Sequence, residues 1–156
     1  MPRYLSQPGD TTICGPTLVI NALKWGGMKA TRDRTMAKAK KETKWEYDGA
    51  WNTNILAAMR KMGKGVIRVR YKSSTPAIVR DHILNGGAAC LSHNAHDRIQ
   101  HVSLAIQGSS PWLPITIVNA QLSKYERVEH GVTMRSFMRL LRRKTTTAHL
   151  ITKWED

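Results

Sequence analysis

The period of the hydrophobic pattern changes once along the chain, and that change restricts the architecture more than any other feature. Up to Met62 the apolar residues recur at helical spacing. Thr12 to Trp25 carries Ile13, Leu18, Val19, Ala22 and Leu23 and stops at Gly26-Gly27. Arg32 to Lys41 reads as a second, short helix. Thr53 to Met62 reads as a third, with Ile55, Leu56, Met59 and Met62 on one face and Gly63 after it. From Val66 onward the pattern alternates. Val66-Ile67-Arg68-Val69-Arg70-Tyr71 reads as a strand, with Arg68 and Arg70 on one face. Thr75 to Leu84 predicts a helix with Pro76 in its first turn, closed by Asn85-Gly86-Gly87. Ala88 to Ser92, Gln100 to Gln107 and Ile115 to Val118 predict strands. Val132 to Leu141 predicts an amphipathic helix built on Met134, Phe137, Met138 and Leu141, and Ala148 to Trp154 a last strand. Helices first and strands afterwards make an α+β layout, with N-terminal helices packed against an antiparallel β-sheet.

No linker, repeat or low-complexity tract divides the chain, so its 156 residues are expected to form one domain, 1–156. Lys and Arg outnumber Asp and Glu by 25 to 11, a formal charge of +14. That exceeds the magnitude of about 2–8 usual for a small designed domain. It favours an anionic partner, whether an acidic peptide substrate, an acidic protein face or nucleic acid met through the basic surface. Arg135, Arg139, Arg142, Arg143 and Lys144 fall on or just after the helix near Phe137, yet the RNA-recognition, KH and zinc-finger signatures are absent. The opening Met-Pro-Arg-Tyr-Leu-Ser-Gln has no apolar run after its charge, and no stretch is apolar over ~20 residues. The expectation is a cytoplasmic protein without membrane insertion, in a host's cytoplasm if it is a phage or mobile-element product.

Chemistry concentrates near the start. Gln7-Pro-Gly-Asp-Thr-Thr-Ile-Cys14-Gly15-Pro16-Thr17 leads into the first apolar helix. A cysteine at a helix N-terminus meets unpaired N–H groups and the positive end of the dipole, both of which favour thiolate. Gly15 permits close approach, and Pro16 is tolerated in a first turn, where its missing N–H costs nothing. A thiolate nucleophile needs a base and a group that orients the base. Of the six histidines, His101 opens the apolar strand to Gln107 and is placed to face a cleft at the sheet's edge. Asn119 ends the next strand, where an antiparallel neighbour brings it beside His101 and its side chain can accept from one ring nitrogen. Asp97 and Gln121 are alternatives for that third role. His93-Asn94-Ala95-His96-Asp97 reads as a polar loop rather than a metal site, because no third ligand accompanies the two histidines. No metal and no cofactor are expected. Cys90, inside a strand, reads as an inert core thiol.

Gln…Cys-Gly-Pro-Thr at a helix start, a histidine opening a strand, and a polar residue ending the next strand resemble the papain-like cysteine peptidases. The C39-like branch is the most similar. The resemblance implies a papain-like fold and a thiol peptidase acting on a peptide or isopeptide bond. It implies Cys14 as nucleophile, His101 as general base and acid, Asn119 as orienter and Gln7 as side-chain donor of the oxyanion hole. Asn119 stands where this branch more often has Asp, whereas papain itself has Asn. The competing expectation is a non-enzymatic basic module that binds nucleic acid or an acidic protein.

Overall fold

The computed structural model describes residues 2–6, 13–29, 32–46, 49–94, 100–120 and 127–155. Five helices and six strands follow in the order α1 (Cys14–Trp25), α2 (Arg32–Glu42), α3 (Asn52–Met62), β1 (Ile67–Val69), α4 (Pro76–Leu84), β2 (Ala88–Asn94), β3 (Gln100–Gln107), β4 (Ile115–Val118), β5 (Glu129–Val132), α5 (Met134–Arg143) and β6 (Thr145–Lys153). The strands make one antiparallel sheet in the order β1-β6-β2-β3-β4-β5. The expected α+β class is therefore the observed one. Two compact units emerge, residues 1–69 with 152–156, and residues 70–151.

In the first unit α1 is buried along nearly its whole length, from Gly15 to Leu23 and again at Trp25. Ile55, Leu56, Ala58 and Met59 give α3 its buried face. Gly27 closes α1 at φ +103°, a left-handed conformation that favours glycine. Trp154 returns to this unit, where its N–H donates to Val66 O at 2.8 Å and its ring lies 4.2 Å from the Arg68 guanidinium.

In the second unit one face of the sheet is covered by α4 and α5. Val79 and Ile83 of α4 and Phe137, Met138, Leu140 and Leu141 of α5 share a core with Ala89, Leu91, Ala105, Ile115 and Ile117. Thr133 caps α5 by accepting from Ser136 N–H at 3.1 Å. The apolar residues of α5 then point inward, while Arg135, Arg139, Arg142 and Arg143 stay exposed. Their spacing of four, three and one puts them along one side of the helix.

Several boundaries differ from expectation; the last strand, for one, starts at Thr145 rather than Ala148. Val132 belongs to β5, a strand absent from the sequence reading, and the helix starts at Met134. Glu129-His130-Gly131-Val132 has too little apolar alternation to announce a strand; pairing with β4, Ile115 opposite Val132 and Ile117 opposite His130, makes it one. The first strand is shorter than expected, only Ile67–Val69, so Arg70 lies beyond it.

Candidate functional site

Cys14 is the first residue of α1 and is half-buried. Ile13 before it has φ −86° and ψ 6° and offers no capping side chain, and the first turn holds no acidic residue. Nothing on the helix itself therefore competes with a thiolate for the positive end of the dipole. Gly15 is explained by packing. A Cβ there would lie 2.9 Å from Ile55 Cδ1 and 3.3 Å from Ala50 Cβ, so glycine lets the first turn come this close to α3 without displacing Ile55. Residues 2–6 are tied to the same helix. Leu5 N–H donates to Asn21 Oδ1 at 2.8 Å, and Asn21 Nδ2 donates back to Leu5 O at 3.0 Å. Gln7, two residues beyond that clamp, lies outside the described residues, as do Asp97 and Gln121.

His101 and Asn119 are brought together in the second unit. His101 is 2% exposed, and its Nε2 meets the main-chain carbonyl of Asn119. A carbonyl only accepts, so Nε2 carries the proton and Nδ1 keeps the lone pair a base requires. This main-chain carbonyl is a link from Asn119 to His101 in addition to whatever its side chain makes. Asn119 has φ 59°, a left-handed conformation that Asn tolerates better than most residues, and its N–H donates to Val128 O at 2.6 Å. That turn at the end of β4 aims the carbonyl at the ring. His101 is the second residue of β3, an interior strand flanked by β2 and β4.

The polar segment after Ser92 is not wholly a loop. Strand β2 runs on to Asn94, and His93 is buried at 0% exposure, directly opposite His101. The two rings are edge-on, 5.5 Å apart between centroids and inclined at 75°. His93 Nε2 lies 2.9 Å from Ser103 Oγ, and Nδ1 lies 3.4 Å from Asn94 O. The carbonyl requires a proton on Nδ1, so Nε2 accepts from the Ser103 hydroxyl. Burial pushes the His93 pKa down to about 4, helped by the neighbouring His101 charge and by Lys144, with the Asn94 carbonyl pulling the other way. His93 is the residue that the sequence reading missed. A signal existed: His93 and His101 are equidistant from Asp97, which a symmetric hairpin converts into a cross-strand pair.

Other titratable groups sit apart from this cluster. Cys90 is 4% exposed, and burial pushes its thiol up to about 12, which keeps it protonated and unreactive. Burial also lowers the His149 pKa, against main-chain groups of Arg70 and Tyr71. Among the described residues no three His, Cys, Asp or Glu side chains cluster as metal ligands. No helix among them is long and apolar enough to cross a membrane.

No family model matches the chain, and no curated protein matches it by sequence. The fold does match a solved structure. A Bacillus anthracis protein described as a candidate C39-like peptidase is similar with a TM-score of 0.67, over 99% of this chain and 96% of that one, at 10% sequence identity. The chain therefore has a C39-like, papain-like fold.

Proposed function

We propose that the protein is a thiol peptidase in which Cys14 attacks a peptide or isopeptide carbonyl and His101 moves the proton. The observation that carries this reading is the His101 Nε2 contact with the Asn119 carbonyl, because it leaves Nδ1 as the basic nitrogen. Asn119 is the orienter through that carbonyl. In the first step the Cys14 proton goes to His101 Nδ1, and sulfur bonds to the carbonyl carbon. The carbonyl oxygen becomes an oxyanion, received by the Cys14 backbone N–H and by Gln7. Collapse expels the amine, which leaves with the His101 proton, and a Cys14 thioester remains. Water then gives a proton to His101 and attacks the thioester, and the acid and the thiol are restored. The +14 charge supports an acidic peptide as substrate. A transferred acyl group could meet an amine in place of water by the same steps.

The test is the rate of Cys14 alkylation by iodoacetamide against pH, read by mass spectrometry, with Cys90 as internal control. A thiolate–imidazolium pair makes Cys14 react well below the ordinary thiol pKa of ~8.5. His101→Ala should abolish that reactivity. Ordinary thiol behaviour insensitive to His101→Ala would sink the peptidase reading. One observation favours a second reading, the unbroken arginine face of α5, which suits phosphate-backbone contact.

A further inference from the structure

One buried histidine, His93, takes no part in the reaction proposed for Cys14 and His101. His93 and His101 are directly opposite in the β2–β3 ladder, and Leu91 is opposite Ser103. Ser103 stands two residues from His101 on the same strand, so both side chains rise from one face of the sheet. His93 reaches diagonally to the Ser103 hydroxyl at 2.9 Å while its ring abuts that of His101. All three side chains are nearly inaccessible, at 0%, 2% and 1% exposure for His93, His101 and Ser103.

We propose that His93 is a positioning residue for His101: held by the Ser103 hydroxyl, with its tautomer set by the Asn94 carbonyl, it packs edge-on against the His101 ring and holds Nε2 on the Asn119 carbonyl. This rests on the peptidase reading for its consequence, but the geometry lies entirely within one unit of the fold. The physical need is plain. A hydrogen bond to one ring nitrogen, added to the Cβ attachment, still lets an imidazole rock about the line joining the two. A second, inclined ring at van der Waals distance removes that motion. The second ring must also be uncharged, since His101 becomes a cation in each acylation step and a charged neighbour would oppose it. Ser103 serves both ends, because a donated hydrogen bond to Nε2 occupies the lone pair that a second proton would take. Among the described residues, the groups facing His93 are His101 from β3, Lys144 from the end of α5 and the uncharged Thr145 opposite it on β6. No described carboxylate acts on His93 to favour its cation.

The experiment uses the full chain and three variants, His93→Gln, His93→Phe and Ser103→Ala. Nitrogen NMR of the His101 ring reports its tautomer and titration midpoint, and iodoacetamide reports Cys14 reactivity against pH. The wild type should show one His101 tautomer, protonated at Nε2. His93→Gln, which keeps an acceptor for Ser103 but loses the ring, should mix the tautomers. Cys14 alkylation near neutrality should slow by about three- to tenfold, the scale of one aromatic contact. His93→Phe restores a ring without a charge and should recover the single tautomer. Ser103→Ala, the mildest change, should move both readouts part of the way towards His93→Gln and keeps the test alive if that variant does not fold. A folded His93→Gln, or failing that Ser103→Ala, with the wild-type tautomer and the wild-type alkylation profile overturns the proposal, even if its melting point falls. The two readings fail separately. NMR judges the hold of His93 on His101, whereas a wild-type Cys14 without enhanced reactivity counts against the peptidase alone.

Discussion

Acidification should destabilise this protein before its carboxylates matter, and His93 supplies the magnitude. In the unfolded chain its pKa is the ordinary 6.5; in the folded chain it is about 4. Above pH 6.5 both states hold a neutral imidazole and the group contributes no difference. Between 6.5 and 4 only the unfolded chain takes the proton, so stability falls as pH falls. Below about 4 both states are protonated and the loss is complete. At 1.36 kcal/mol per unit, a gap of about 2.5 units costs about 3 kcal/mol. That is a large share of the ~5–15 kcal/mol that holds a domain together. His149, whose pKa burial also lowers, adds in the same direction. Urea unfolding at pH 7, 6, 5 and 4.5 measures the effect, with His93→Gln as the reference that lacks this titration. The wild type should lose about 2–3 kcal/mol relative to the variant across that range. Parallel curves for a folded variant would refute the argument, because they would mean that His93 protonates equally well in both states.

Three further outcomes follow from particular contacts. Asn119→Gly keeps the left-handed turn and the carbonyl, and should leave Cys14 alkylation within about threefold of wild type. Asn119→Ala strains the turn by about 1–2 kcal/mol and should lower the melting point more than Asn119→Gly does. A Gly variant as inactive as His101→Ala would move the orienting role to the carboxamide. Gly15→Ala should cost about 1–2 kcal/mol as the new methyl meets Ile55, less a helix-propensity gain of up to about 1 kcal/mol. Ile55→Ala should make that substitution nearly neutral, and an additive double mutant would count against the contact. If α5 meets phosphates, replacing Arg135, Arg139, Arg142 and Arg143 by Gln should flatten the salt dependence of binding to a mixed-sequence RNA by up to about 3–4 log units per log of salt. An unchanged slope would remove α5 from that role.

The change of hydrophobic period was enough to read the α+β class, because helix and strand burial impose different spacings on one chain. Cys14 was legible for a similar reason. Its Gly-Pro sequel and the apolar run behind it are local, and the helix start they announce is local too. His101 was legible as a histidine opening an apolar strand. Its neighbours were not. That the Asn119 carbonyl meets the His101 ring depends on φ 59° at the end of β4, a conformation that the β3–β4 pairing and the link to Val128 enforce together. β5 exists through its partner β4, since four residues with one buried position cannot specify a strand alone. His93 shows the division most sharply. Its sequence surroundings are polar, and the β2–β3 register carries it into the interior beside His101. Residue type and local spacing determine which side chains carry chemistry and on what kind of element they stand. Which of them face one another, and with which nitrogen protonated, is decided by strand register and burial, because hydrogen bonds between distant segments set both the geometry and the cost of charge.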